Sequence, residues 1–239
     1  MTRRRFIADE VSGDHASLVG EHADHLVRVL RARVGQEFDI ATGEAVRRGR
    51  IISMENARVE FELGEEVSAS PLSEITLVLA IFKFDRMEWA IEKCTELGVS
   101  RIVPVIARRT DSHLAAASAK RVERWQRIVR QASEQSRRVA PPEIVAPLKV
   151  SEAMNLPAAL RIVLAESEER TQLRDVVKPS AAGDGIILAV GPEGGWTEGE
   201  LQSFQQSGWI SASLGDTILR AETAAITATA VVASMLYLP

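Results

Sequence analysis

The chain has 239 residues, 46% of them apolar, with a formal net charge of −4 and one cysteine. This length and composition suit one large or two modest globular domains, so disorder is not the default. No apolar run is long enough to span a bilayer, Met1-Thr2-Arg3-Arg4-Arg5-Phe6 has no hydrophobic signal core behind its charges, and Cys94 alone makes neither a disulfide nor a thiolate metal site, so the chain reads as cytoplasmic.

From Arg3 to about Ser70 the pattern is one of short β segments around a single helix. Strands are expected at Gln36–Ala41, Ala45–Ser53 and Ala57–Leu63, parted by Thr42-Gly43 and Glu55-Asn56, and the turn spacing suggests a small barrel. Glu21–Ala32 has helical periodicity, with Ala23, Leu26, Val27 and Leu30 on one face and His25, Arg28 and Arg31 on the other. His15, His22 and His25 fall here at spacings that match no zinc pattern. Ser68-Ala69-Ser70-Pro71 closes the region.

Beyond it the texture changes to alternating strand and helix, the signature of a parallel α/β domain. Ile75–Phe82 reads as a strand. Asp85 is placed to cap a helix whose Met87, Ala90, Ile91, Cys94 and Leu97 share a face, and Gly98 ends it. Ile102–Ile106 is the next strand, running into Ala107-Arg108-Arg109-Thr110. Ser118 is expected to start a long helix with Val122, Trp125, Val129 and Ala132 facing inward, stopped by Pro141-Pro142. Ile144–Pro147, Arg161–Glu166 and Gly185–Val190 supply further strands.

The last of these enters the densest turn of the chain, Ile186 to Trp196, IILAVGPEGGW. Its continuous apolar run suits a strand buried on both faces of a parallel sheet. Gly191, Gly194 and Gly195 permit positive φ or close approach to a ligand, Pro192 stiffens the turn, and Thr197 with Glu200 forms a capping box that starts a helix. Ligands of open α/β sheets bind at such strand ends. On the turn alone, a ligand site and a plain connection stand equal. Gly208 stops that helix, Trp209–Leu214 makes another strand, and LGDTILRAETA leads into a final helix through Leu236. Apolar nearly all round, this helix belongs inside the domain or at a subunit interface. No GxGxxG opens a helix and no P-loop lysine follows a glycine run, which disfavours a nucleotide-dependent dehydrogenase.

The acidic balance hides basic clusters. Between Arg101 and Arg138 ten Arg or Lys face three acids, and further arginines gather at Arg3–Arg5, at Arg28, Arg31 and Arg33, and at Arg47, Arg48 and Arg50. Such clusters seat a nucleic-acid backbone or, more plainly, solvate helix faces and hairpin edges.

Several segments in order carry a resemblance: RRRF at the start, HLVRVLR at His25–Arg31, KFDRMEWAIEKCTELGV at Lys83–Val99, ASEQSRR at Ala132–Arg138, GPEGG at Gly191–Gly195, and LGxxILRxETA from Leu214. Together they resemble the ribosomal RNA small subunit methyltransferase E family over the whole chain. The resemblance implies an α/β protein with an N-terminal PUA-like β-barrel over residues 1–70 that binds RNA. It implies a SPOUT-type α/β domain over 72–239 that binds cofactor and dimerises, with a deep C-terminal trefoil knot. The implied reaction is methylation of N3 of a specific uridine in 16S rRNA, with S-adenosylmethionine as cofactor. The implied partners are 16S rRNA or the small ribosomal subunit and a second copy of the chain, with no membrane and no metal.

Carried over residue by residue, the resemblance assigns Leu164, Ala165 and Glu166 to one wall of the cofactor pocket and Gly191, Pro192 and Gly194 to another. Leu214, Gly215, Ile218 and Leu219 close over the adenine, with Thr223 supporting the pocket or capping the last helix. Uridine N3 carries a proton at neutral pH, so a base must remove it or a cation must stabilise the developing anion. Arg220 is the first choice for the cation. Glu193 and Glu222 are candidate bases, although Glu193 also suits a turn brace and Glu222 a helix N-terminus. Arg3, Arg4, Arg5, Arg28, Arg31, Arg108, Arg109 and Arg138 are assigned to RNA, Arg3–Arg5 reaching the partner subunit's site. A ribose 2′-O-methyltransferase and a non-catalytic RNA-binding or ribosome-assembly module are the rival readings; the barrel and the ETA segment favour the base methylase.

Overall fold

A computed structural model of the protein describes residues 4–67, 74–178 and 185–237. The boundary expected at Ser68–Pro71 and the candidate Arg3 lie outside the described residues. The chain divides into two compact units, Met1–Leu72 with Ser133–Pro141 and Ser73–Ala132 with Pro142–Pro239.

The first unit is a six-stranded mixed sheet. Its strands are β1 (Arg5–Ile7), β2 (Glu10–Ser12), β3 (His15–Val19), β4 (Glu37–Ala41), β5 (Val46–Glu55) and β6 (Arg58–Val67). Their order is β1-β4-β5-β6-β3-β2, antiparallel throughout except that β1 runs parallel to β4. Leu18, Leu26, Ile40, Ile51 and Phe61 fill the core. Gly49 permits that packing, because a Cβ there would stand 2.4 Å from the Ile40 side chain. The β5–β6 hairpin turns through Asn56 and Ala57, both at positive φ, as a two-residue loop matched to strand twist requires.

The helix expected over Glu21–Ala32 is shorter and of mixed type. One α-turn, α1 (Glu21–Asp24), widens into a π-turn over His25–Val29, and the chain leaves helical geometry at Arg31, φ 51°. Five-residue spacing shifts the phase of the apolar face. Ala23 and Leu26 stay buried, but Val27, expected inward, is exposed.

Most arginines of this sheet are matched to acids. Arg48 meets Asp39 at 2.6 Å, Arg47 meets Asp14 at 2.9 Å, Arg50 meets Glu62 at 3.2 Å, and Arg58 meets Glu10 at 2.6 Å and Glu60 at 3.2 Å. The Ser133–Pro141 segment completes the unit. The Ile7 N–H donates to Glu134 Oε1 at 3.4 Å, the Arg5 guanidinium donates to the Arg137 carbonyl, and Val139 packs with Ile7, Ala41 and Val46.

The second unit is a parallel sheet of β7 (Ile75–Ala80), β8 (Arg101–Ile106), β9 (Glu143–Ile144), β10 (Leu148–Lys149), β11 (Leu160–Leu164), β12 (Ile186–Val190) and β13 (Ile210–Ala212). The order is β10-β8-β7-β12-β11-β13, with β9 also paired to β8. Helices α2 (Phe84–Glu96), α3 (Ser112–Ser118), α4 (Val122–Gln135), α5 (Val150–Ala153), α6 (Leu173–Val176), α7 (Glu198–Gln206) and α8 (Ala221–Tyr237) connect and cover the strands. β12 is buried at every position, as its apolar run predicts. Ile186, Leu188 and Val190 face a core shared with Met87 and Ile91 of α2, Trp125 of α4, and Ala225, Ala228 and Val232 of α8. Ile187 and Ala189 face the opposite core, where Trp196, Phe204 and Trp209 stack edge to face.

Two helix starts differ from expectation. Lys83 is the N-cap of α2, and Asp85 lies in the first turn, where an acid still favours the helix dipole. Ser118 ends a helix instead of starting one. Asp111 caps α3, its carboxylate accepting from the His113 and Leu114 N–H groups at 2.8 and 3.4 Å, and a 3-10 turn over Ala119–Arg121 leads into α4. Gly98 ends α2 and Gly208 ends α7, both at positive φ. α8 is buried along one face only, since Thr223 and Ser234 are exposed. Cys94 is buried against Thr229 of α8, and burial pushes its thiol up to about 12. Among the described residues, no helix is long and apolar enough to cross a membrane.

Candidate functional site

The loops that follow β11, β12 and β13 at the carboxyl edge of the sheet enclose a cavity of about 290 Å³. Leu164, Ala165 and Glu166 form one wall, Gly191–Trp196 a second, and Leu214–Leu219 a third, and Ala221 and Ala224 of α8 and Arg109 are among the other lining residues. Ten of the eleven residues assigned to the cofactor thus share one cavity, and Glu193 joins them. Thr223 does not; it is exposed in the first turn of α8.

The β12–α7 turn is held from three sides. Its Gly195 N–H donates to the Pro192 carbonyl at 2.8 Å with Gly195 at φ 66°. At Gly191 a Cβ would lie 3.3 Å from the backbone of Gly195 and Trp196, so a side chain there requires the turn to give by a few tenths of an ångström. Arg109 crosses Gly194, donating from Nη1 to the Gly194 and Trp196 carbonyls at 2.5 and 3.3 Å. The expected capping box is present, with Thr197 and Glu200 satisfying each other's backbone N–H groups. Buried Glu200 also accepts from the Arg108 N–H at 2.9 Å, fastening the start of α7 to the loop after β8.

The first wall has its own brace. Glu168 accepts from the Arg170 and Thr171 N–H groups at 2.9 and 3.0 Å, and these bonds hold its carboxyl below the usual range. The third wall bends at Gly215, φ 121°, whose N–H donates to Ser213 Oγ at 3.1 Å. Ile218 projects from it, 82% exposed. Three carboxylates, Glu166, Glu193 and Asp216, line the cavity against the single guanidinium of Arg109. Such a lining favours a ligand carrying positive charge.

The catalytic candidates separate. Glu193 stands in the wall, while Arg220 and Glu222 are outside the lining. Arg220 is exposed; its carbonyl accepts from the Ala224 N–H at 2.8 Å, and its side chain has no partner among the described residues. Glu222 is buried, its side chain 5% exposed and its Oε2 without a hydrogen bond. Between Glu193 and Glu222 stands Arg86 of α2, which sequence reasoning missed. Its Nη1 is 3.7 Å from Glu193 Oε1 and its Nε 3.8 Å from Glu222 Oε1. Its one signal was a place in the KFDRMEW stretch, where it reads as an ordinary surface arginine.

The RNA candidates also divide. Arg4, Arg31 and Arg108 have exposed side chains without partners among the described residues. Arg28 pairs with Asp24 at 3.4 Å, and Arg138 donates to the Ala140 carbonyl at 3.2 Å. Arg5 is half-buried on the Arg137 carbonyl, and burial lowers its pKa. Arg109 holds the glycine turn. Along α4 and the 3-10 turn before it, Arg121 and Arg124 share Glu88, and Arg127 pairs with Glu123. Among the described residues, no group of three or more His, Cys, Asp or Glu is gathered as a metal site requires.

The family model for an RNA methyltransferase domain matches residues 68–233. A Synechocystis protein named ribosomal RNA small subunit methyltransferase E is 35% identical over 217 residues, 89% of this chain and 70% of that protein. The chain belongs to the ribosomal RNA small subunit methyltransferase E family. A crystal structure of the family's enzyme from Neisseria gonorrhoeae, bound to S-adenosylmethionine, is 31% identical with a TM-score of 0.87 over 98% of each chain. A methyltransferase structure from Legionella pneumophila, also holding S-adenosylmethionine, is 29% identical with a TM-score of 0.85 over 97% of each chain. Membership of the family accounts for the shared architecture, a mixed sheet followed by a parallel α/β unit.

Proposed function

We propose that this protein methylates N3 of a specific uridine in the 16S rRNA of the small ribosomal subunit, with S-adenosylmethionine as methyl donor. The observation that carries this reading is the cavity at the ends of β11, β12 and β13, in a chain whose relatives hold that cofactor. Its walls fit the group. Glycines at 191, 194, 195 and 215 leave peptide groups available to read an adenine edge, and the carboxylate-rich lining suits a sulfonium. When bound, the cofactor supplies an electrophilic methyl group.

What this chain must add is alignment of the uracil and removal of the N3 proton, and positioning carries much of the rate. Glu193, the candidate base that lines the cavity, is assigned to accept the proton. Arg220, exposed and uncommitted just before α8, is assigned to orient the uracil or stabilise charge developing on it. The first unit, read as a PUA-like barrel, holds rRNA phosphates through Arg4 and Arg31, which keep free guanidinium groups where Arg47, Arg48, Arg50 and Arg58 are matched to acids. We further read the C-terminal segment as a trefoil knot, the incompletely buried α8 as part of a homodimer interface, and the cytoplasm as the site of action.

Mass spectrometry of 16S rRNA from cells lacking the protein tests the reaction. The expected result is loss of 3-methyluridine and its return when the gene is restored. An unchanged level overturns the reading, and a missing 2′-O-methyl group instead would establish the ribose alternative.

A further inference from the structure

Beside the cavity, Arg86 and Glu222 adjoin the proposed base Glu193 and have no part of their own in the methyl-transfer reading. Glu193 comes from the β12–α7 turn, Arg86 from α2 and Glu222 from α8, three elements far apart in sequence. Glu222 is the unusual member, a buried carboxylate with one oxygen lacking any hydrogen bond. Leaving such a group unsatisfied is costly, more so when it is charged, so its retention calls for a reason. The nearest cation is Arg86, and at 3.8 Å it supplies charge without a hydrogen bond. Arg86 carries five N–H donors and spends none of them in a hydrogen bond among the described residues. Its opposite edge faces Glu193 at 3.7 Å, again just beyond hydrogen-bond reach.

Both gaps lie within ion-pair range and beyond hydrogen-bond range, so charge alone holds Arg86 between the two carboxylates and either contact has room to shorten when reactants enter. Arg86 is absent from the cavity lining, and the lining residue it pairs with is Glu193.

We propose that Arg86, anchored by buried Glu222, is a positioning residue that sets the orientation of the Glu193 carboxylate at the cavity wall. This rests on the methyl-transfer reading above, in which Glu193 accepts the N3 proton. Glu222 is then the fixed end of a relay, and its apparent waste of a buried charge is the means of holding Arg86 in line. Arg220 keeps a separate task on the exposed side.

A double-mutant cycle on the full-length protein tests the coupling, with methyl transfer to 16S rRNA and S-adenosylmethionine titration as readouts. Arg86→Gln is expected to lower kcat about tenfold or more while the Kd for S-adenosylmethionine stays within about twofold. Arg86→Lys, which keeps the charge, recovers most of the rate. Combined with Glu193→Gln, the Arg86→Gln loss disappears, a departure from additivity of about tenfold. Glu222→Gln lowers kcat, and its loss too is absent in the Arg86→Gln background. Fully additive losses overturn the proposal, as does a fall in cofactor affinity and Tm proportional to the fall in kcat, which marks a scaffold role. An unaltered protein that transfers no methyl group refutes the functional reading and this inference with it, whereas additive losses in an active enzyme refute the inference alone.

Discussion

Gly191 shows how much of the site depends on a missing side chain. A Cβ there meets the backbone of Gly195 and Trp196, which has no far end to swing aside. Gly191→Ala is expected to push the turn outward, weakening S-adenosylmethionine about tenfold and costing about 1–3 kcal/mol of stability. Calorimetric titration and urea denaturation check the two effects separately. Cys94 behaves in the opposite way, as a group protected by its surroundings. Burial raises its thiol from 9.0 to about 12, so the folded protein keeps its proton where the unfolded chain loses it. The favourable term is therefore complete below pH 9.0 and is lost as pH climbs toward 12. At pH 8 the native protein should leave a thiol reagent unreacted, and denaturant should release one reactive equivalent; ready labelling of the native protein would contradict the burial.

The start of α7 joins two kinds of bond at one residue. Thr197→Ala removes a cap and should cost about 1 kcal/mol. Glu200→Ala should cost about 2–3 kcal/mol, because the Thr197 and Arg108 N–H groups lose their acceptor together. Urea midpoints measure both, and equal losses would show that the Arg108 bond adds nothing. The Thr197 half of this arrangement was legible in the sequence because a capping box spans only four residues. The Arg108 half was not, since it joins loops after different strands. The same distinction explains the other elements. β12 announced itself by an uninterrupted apolar run and the second cavity wall by its glycine-rich strand end, whereas Leu164–Glu166 carries no glycine and, like Leu214–Leu219, was assigned only through the family resemblance. The π-turn at His25–Val29 broke the 3.6-residue period on which the Val27 prediction relied. Ser118 attracted a helix start because the apolar periodicity of α4 begins just after it, whereas α3 carries its own cap at Asp111. Arg86 acquires its meaning only when α2, α8 and the glycine turn are brought together.

Across the molecule, counting arginines overstates the surface available to RNA. A net charge of −4 already implies that many basic groups have acidic neighbours, and the ion pairs along β5 and β6 show where they are. Arg31→Gln is therefore expected to weaken 16S rRNA binding and to lower the slope of log affinity against log salt by about 0.7–0.9. Arg50→Gln, which gives up a pair with Glu62, should leave both nearly unchanged. Filter binding across a salt series distinguishes them, and equal effects would return Arg50 to the RNA surface. The first unit also has an order of assembly written into its chain. Val139 is part of the cluster with Ile7, Ala41 and Val46, so a ribosome must release residues well past the second unit's first helix before the first unit has all its parts. An N-terminal fragment ending near residue 72 emerges early yet remains unfinished, and synthesis of the two units is interleaved instead of sequential.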